Sequence, residues 1–150
     1  RDDELTPKDY YYLLLGQYAQ TSRLIDSSSN RGLVVADTNS LVTKAYYDYY
    51  LKESPVQDEE TDTFDNLFAS ILSKEKWDLI LFAEPVGAYV NDGFRDMSMA
   101  DEAIRSDFSS YLKKLKEQCL AHIPTVYLAG SYLDNYQAAK EAIDMIYQAD

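Results

Sequence analysis

The sequence contains one cysteine and one histidine among 150 residues, and these two shortages exclude several kinds of chemistry. A single cysteine, Cys119, cannot form an internal disulfide, which favours a reducing compartment. With only Cys119 and His122 available, no zinc site of the usual ligand spacing can be written. No apolar run reaches membrane-spanning length, and residues 1–4 do not resemble a signal peptide. We therefore expect a cytoplasmic protein without a membrane partner.

Basic residues are also scarce, with 14 Lys and Arg against 26 Asp and Glu and a formal net charge of −12. A negative surface repels nucleic-acid phosphates, so we expect no direct nucleic-acid binding by this chain. A local pocket can still bind a small anion. Hydrophobic residues make up 46% of the sequence, which is typical of a globular domain.

Short apolar runs alternate with helical patterns along the chain. The runs at 33–36, 78–83 and 125–129 predict strands that are buried on both faces. Amphipathic spacing and capping residues predict helices at about 7–25, 41–51, 64–72 and 101–121, with a closing helix after residue 131. Residues 52–61 are polar and acidic, which indicates a loop, and Thr63 is a candidate cap. This order predicts an α/β fold with a parallel, doubly wound sheet.

Ligands of such sheets bind beyond the carboxyl ends of the strands. Here those ends are residues 37–39, 84–86 and 130–132, so we expect any active site to draw on these segments. Asp37 follows an apolar run, where phosphoryl-transfer enzymes place an acid that holds Mg²⁺ or accepts the proton of the attacking hydroxyl. The alternative is that Asp37 caps the next helix.

The segment from 84 to 96 is long and contains aromatic residues, as expected for a lid that closes over a substrate. Gly93 permits a backbone turn, and Arg95 offers a planar donor fork to a phosphate. The alternative is an ordinary surface loop with a solvated arginine. Arg105, in the next helix, is either a second lid arginine or an exposed helix charge.

Three segments taken together resemble the ribosylnicotinamide kinase domains of NadR-type proteins. They are 34–39 (Val-Val-Ala-Asp-Thr-Asn), 77–81 (Trp-Asp-Leu-Ile-Leu) and 90–95 (Val-Asn-Asp-Gly-Phe-Arg). The resemblance extends from about residue 9 to the end of the chain. It implies a P-loop kinase with a three-layer parallel sheet and helices on both faces, which transfers the γ-phosphate of ATP to the 5′-hydroxyl of nicotinamide riboside in NAD salvage.

The resemblance also implies roles for individual residues. Asp37 would be the Walker-B-like acid near Mg²⁺ and the substrate hydroxyl, and Asn39 would face the substrate. Asp92 and Arg95 would belong to the lid, with Arg95 acting in catalysis and Asp92 contacting the substrate. On the ATP side it implies contacts from Arg105, Ser131 and Tyr132.

The chain departs from the family in two ways. Asn39 stands where the family commonly has a second Asp, and no Gly-x-x-x-x-Gly-Lys-Ser/Thr loop occurs anywhere in the sequence. In the family that loop and its strand precede the segment that corresponds to residue 1. We therefore expect residues 1–150 to be the C-terminal portion of one nucleoside-kinase-like domain, inactive alone and part of a longer protein. The resemblance implies that the longer protein can be bifunctional, because the kinase of NadR proteins is often joined to a nicotinamide mononucleotide adenylyltransferase-like domain.

Two other functions remain open at this level. The chain can belong to a non-catalytic nucleotide-sensing module of NAD metabolism, which Asn39 favours, or more distantly to a flavodoxin-like binding domain. An acid at Asp37 together with an Asp92/Arg95 lid favours the kinase, because a sensor does not need to exclude water. The sequence is compatible with a homo-oligomer.

Overall fold

A computed structural model describes residues 5–27, 32–51, 58–86, 89 and 97–148. The chain divides into two compact units, Arg1–Glu75 and Lys76–Asp150. The first unit contains helices α1 (Pro7–Ser27), α2 (Ser40–Leu51) and α3 (Asp58–Leu72). The second contains strand β1 (Ile80–Ala83), a 3₁₀ turn (Met97–Ala100), helix α4 (Glu102–Leu120), strand β2 (Thr125–Leu128) and helix α5 (Tyr132–Gln148). Within these residues, no helix is both long and apolar enough to span a membrane.

Helix α1 begins where the sequence predicts, because Thr6 and Asp9 form a reciprocal cap. The Thr6 backbone N–H and hydroxyl donate to Asp9 Oδ2 at 2.8 and 2.6 Å, and the Asp9 N–H donates back to Thr6 Oγ1 at 3.4 Å. The hydrogen bond from the Thr6 hydroxyl, and to a smaller extent the one from its backbone N–H, lower the pKa of Asp9. The arrangement satisfies donors that would otherwise lack a partner at the helix start.

An aromatic cluster forms the centre of the first unit. Phe64 of α3 is fully buried and stacks on Tyr47 of α2, with ring centroids 3.8 Å apart and an interplanar angle of 6°. Tyr10 of α1 meets Tyr47 edge to face at 5.6 Å, so all three helices contribute to one core. The other buried apolar residues of this unit are Leu14, Leu41, Ala45, Phe68 and Ile71.

The second unit contains a two-stranded parallel sheet in which Ile80 pairs with Thr125 and Ala83 with Leu128. Helix α4 connects the two strands, as predicted for a βαβ unit. The buried apolar residues of the unit are Phe82, Met99, Leu115 and Leu120. The α/β class is thus confirmed, whereas the three-layer arrangement with helices on both faces stays a prediction.

The strand predicted at residues 33–36 is wrong for the described structure. The backbone there is neither helix nor strand, and Leu33 and Val35 are 55% and 71% exposed. A strand is defined by a neighbouring backbone that pairs with it, and within the described ranges no segment pairs with this one. An apolar run alone therefore did not determine the secondary structure here.

Smaller differences concern helix boundaries and faces. Residues 58–61 belong to α3, so the predicted loop is too long and Thr63 is not the cap. In α4, Tyr111 is 37% exposed, whereas Lys116 is buried. The Lys116 ammonium lies 3.0 Å from Glu117, and this contact keeps the pKa of Glu117 low.

Candidate functional site

In the first unit, the turn at residues 37–39 leads from the extended segment 32–36 into α2. Its middle residue, Thr38, has a φ of 68°, the only positive value at a described non-glycine residue. A β-branched side chain is rare in this left-handed region, and holding it there costs on the order of 1–3 kcal/mol. Other contacts must therefore offset the strain.

The side chain of Gln17, from α1, supplies such contacts. Its Nε2 donates to Thr38 Oγ1 at 2.8 Å, and its Oε1 accepts from Thr43 Oγ1 at 3.2 Å. One amide thereby joins α1, the strained turn and α2. No sequence pattern indicated this role, because Gln17 and Thr38 are 21 positions apart.

Asn39 is the residue that caps α2. Its Oδ1 accepts from the N–H groups of Leu41 at 3.2 Å and Val42 at 3.4 Å. The next residue, Ser40, is 1% exposed and donates its hydroxyl to Glu75 at 2.7 Å, which fixes the start of the helix. The predicted contact of Asn39 with a substrate stays a prediction, and its Nδ2 has no partner among the described residues.

The residue that caps α2 is Asn39. The alternative interpretation of Asp37 as the cap of this helix is therefore wrong. Asp37 is exposed, and its carboxylate makes no hydrogen bond or ion pair within the described part of the chain. It lies on a cleft of about 550 Å³ between α1 and α2, together with Gln17 and Thr38. Tyr12 and Tyr46 supply aromatic surface to the same cleft. An acid without a partner at an aromatic cleft can bind a hydroxyl or a hydrated cation.

The second unit has a smaller cleft, of about 330 Å³, where β1 and β2 end against α4. Glu84, the residue after β1, lies 2.5 Å from the Lys113 ammonium and accepts from the Ser109 hydroxyl at 3.4 Å. The Lys113 ammonium also lies 5.7 Å from the Phe82 ring and 5.5 Å from the Tyr127 ring. The strand-end position of Glu84 was predicted, but the partnership with Lys113 was not.

Arg105 lines this second cleft and is half-buried, so it is not merely an exposed helix charge. Its Nη1 donates to the backbone oxygens of Met99 at 3.0 Å and Ala100 at 2.9 Å. Its guanidinium also lies 5.7 Å from the Tyr89 ring. No described residue accepts from Nε or Nη2, so those donors can still face an anion.

Ser131 and Tyr132 lie at the start of α5. The Ser131 hydroxyl donates to Asp134 Oδ2 at 2.6 Å and its N–H donates to the same oxygen at 3.2 Å. These two bonds lower the pKa of the Asp134 carboxyl. Ser131 is therefore engaged in capping, whereas the Tyr132 side chain is 88% exposed and can stack on a flat ligand.

The remaining predicted site residues, Asp92 and Arg95, lie outside the described residues. Asp37 and Asn39 share the turn of the first unit, and Arg105, Ser131 and Tyr132 belong to the second. Among the described residues, no cluster of three or more His, Cys, Asp or Glu side chains could hold a metal ion. A single carboxylate such as Asp37 is nevertheless sufficient for Mg²⁺ when substrate phosphates and waters supply the other ligands.

Comparison with known proteins identifies the class. The family model described as AAA domain matches residues 3–134, and the chain belongs to this family of P-loop-type domains. A solved structure of the NadR protein in complex with NR is 32% identical, with a TM-score of 0.76. The match covers 95% of this chain and 38% of that one. No sequence among the curated proteins matches. The resemblance to the kinase domain of NadR-type proteins is confirmed.

Proposed function

We propose that the full-length protein carrying this chain is a ribosylnicotinamide kinase, which phosphorylates nicotinamide riboside with ATP to give nicotinamide mononucleotide. The observation that carries the proposal is the Asp37 carboxylate, exposed on the cleft of the first unit and free of described partners. The likeness to the NadR protein, whose structure contains NR, supports the choice of substrate. NAD salvage in the cytoplasm is the proposed setting.

In this proposal the 5′-hydroxyl of the riboside attacks the γ-phosphorus of ATP, and the bond to the ADP oxygen breaks. Asp37 accepts the proton that leaves the hydroxyl. Its carboxylate would also hold Mg²⁺, directly or through water, and the ion would neutralise charge on the transferring phosphate. No described lysine or arginine pairs with Asp37, so both of its carboxylate oxygens are available for these contacts.

The cleft beside Asp37 suits a nucleoside in size and lining. Its volume of about 550 Å³ falls within the usual range for small-molecule sites, roughly 300–1,000 Å³. Tyr12, a lining residue that is 63% exposed, offers a ring face for a base. Asn39 does not line the cleft but follows Thr38 in the same turn, and its amide N–H groups would reach ribose hydroxyls. We propose that the riboside occupies this cleft with its 5′-hydroxyl towards Asp37.

The remaining contacts are assigned to the lid and to ATP. Asp92 and Arg95 would close over the substrate, and the free donors of Arg105 would face phosphate. Tyr132 would lie against adenine, and Ser131 would lie beside it, with its hydroxyl and N–H both bonded to Asp134. Each of these roles rests on the family likeness rather than on a bound ligand.

The decisive measurement is ATP-dependent phosphorylation of nicotinamide riboside by the full-length protein, comparing wild type with Asp37→Asn. This change keeps the shape of the side chain and removes its charge. We expect kcat to fall by about 100-fold or more, which is the usual range for losing a general base. Asp26→Asn, an exposed change on α1 outside the cleft, should leave the rate unchanged.

A wild-type protein that binds nucleotide but phosphorylates no riboside would refute the kinase and support the sensing function. Full activity in Asp37→Asn would instead retain the kinase and reject Asp37 as its base. The presence of Asn39 in place of a second acid is the observation that favours the sensor.

A further inference from the structure

The turn that carries Asp37 is held by few contacts. Thr38 has a φ of 68° although its side chain is exposed, so tight packing around that side chain does not impose the strained conformation. On the carboxyl side, the Asn39 cap and the buried Ser40 fix the start of α2. Thr38 is therefore the single residue between a fixed helix start and Asp37, and its φ angle sets where the Asp37 carboxylate lies.

Gln17 is the side chain that can maintain this φ angle. It donates to Thr38 Oγ1 at 2.8 Å, and its other amide atom accepts from Thr43 at 3.2 Å. Because both ends of the amide are bonded, the side chain has a defined orientation rather than a free one. Gln17 also lines the cleft that contains Asp37, so the restraint acts at the site itself.

We propose that Gln17 is a positioning residue for Asp37, and that it acts by holding Thr38 in the left-handed region. The proposal rests on the kinase function proposed above. Gln17 need not touch the reacting hydroxyl, since its contribution is to the geometry of the turn. Without its bond, Thr38 can relax to a negative φ, and Asp37 then moves away from the position that accepts the proton.

The first test replaces Gln17 by Leu, which keeps the volume and removes both hydrogen bonds. We expect kcat for riboside phosphorylation to fall roughly 10- to 100-fold, since a displacement of about 1 Å at a reacting group has effects of this size. KM for ATP should stay unchanged, because the turn belongs to the proposed riboside side. The matched control is Gln137→Ala, which breaks the 2.8 Å hydrogen bond between Gln137 and Glu141 within α5. This change should leave kcat unchanged.

A double-mutant cycle separates positioning from a general loss of stability. Thr38→Gly accepts φ 68° without strain and has no hydroxyl for Gln17 to bond. We therefore expect Gln17→Leu to change kcat less than twofold in the Thr38→Gly background. In Thr38→Asn the backbone at position 38 should keep its positive φ, because asparagine tolerates this region and its side-chain oxygen can accept from Gln17.

Two kinetic results would overturn the proposal: unchanged kcat in Gln17→Leu, or an undiminished effect of that change in Thr38→Gly. Backbone chemical shifts give a readout that does not depend on activity. In wild type, Thr38 should show the backbone chemical shifts of the left-handed region, and in Gln17→Leu it should lose them. Persistence of those chemical shifts in Gln17→Leu would reject the mechanism. A wild type without kinase activity would remove the proposed function, while the chemical shifts would still decide whether Gln17 holds the turn.

Discussion

Lys44 in α2 makes ion pairs with two carboxylates, and removing its charge should lower stability. Its ammonium pairs with Asp48 on the same helix and lies 3.1 Å from Asp65 of α3, while 12% of its side chain is exposed. It also lies 5.8 Å from the Tyr47 ring. Lys44→Met keeps the apolar stem and removes the charge, so it leaves two carboxylates beside the core without their shared cation.

The size of the effect lies between two known limits. Exposed ion pairs contribute about 0–1 kcal/mol, whereas removing one partner of a buried pair costs about 3–5 kcal/mol. Lys44 is nearly buried but Asp65 is 49% exposed, so water screens part of the interaction. We expect a loss of about 2 kcal/mol, which for a domain of this size lowers Tm by about 4–8 °C.

The pH dependence gives this prediction a second, independent test. Burial lowers the pKa of Lys44, but the hydrogen bonds and charges of Asp48 and Asp65 outweigh it and raise that pKa above the ordinary 10.5. A raised folded-state pKa means that the stabilisation is complete below about pH 10.4 and is lost as pH rises through the folded value. The Tm difference between wild type and Lys44→Met should therefore stay constant from pH 7 to 10 and shrink above it.

Thermal unfolding of the full-length protein measures both effects, and Lys140→Met is the matched control. Lys140 pairs with Asp144 at the same four-residue spacing, but the side chains are 53% and 47% exposed. We expect no measurable change in Tm for this control. An equal Tm for Lys44→Met and Lys140→Met at pH 7, or a Tm difference that persists unchanged at pH 11, would refute the reasoning.

Substitutions at three further positions test the core and the helix starts. Phe64→Ala removes a fully buried ring stacked on Tyr47 and should cost about 3–5 kcal/mol in urea unfolding, whereas a loss under 1 kcal/mol would show that the stack contributes little. A Cβ at Gly130 would lie 2.9 Å from Asp134 Cβ, so Gly130→Ala should increase amide exchange in the first turn of α5, and unchanged exchange would contradict this steric argument. Asp101 accepts from two N–H groups of α4 at 2.8 and 3.2 Å. Asp101→Ala should therefore lower the free energy of unfolding by about 1 kcal/mol, whereas Asp101→Asn should keep most of the cap's stabilisation. Equal losses for the two variants in urea unfolding would exclude a capping role.

Local sequence signals predicted the helices of the described chain well. Thr6, Pro7 and Asp9 predicted the start of α1, and the capping residues near position 39 predicted the start of α2. Such signals work because a cap and the N–H groups it satisfies lie within four residues of each other. The pairing of β1 with β2 also agrees with the predicted βαβ order.

Part of the candidate site could likewise be predicted. Asp37 was selected because it follows an apolar run; the structure places it on a cleft and assigns the cap of α2 to Asn39, while the catalytic role of Asp37 stays a prediction. The lid residues Asp92 and Arg95 stay predictions. For Ser131, the resemblance to a nucleotide-binding motif did not reveal a second role. The residue precedes α5, and its hydroxyl donates a hydrogen bond to Asp134 that caps this helix.

By itself, the sequence determined the starts of α1 and α2, the α/β class and the kinship with NadR-type kinases, since these depend on short segments and their order. Only the tertiary structure decided that residues 33–36 have no paired strand among the described residues, that Thr38 adopts a positive φ and that Gln17 bonds it across 21 positions. It also decided that Lys44 joins two helices through Asp48 and Asp65. Such contacts join residues far apart along the chain, and no pattern within a single segment specifies its partner in space.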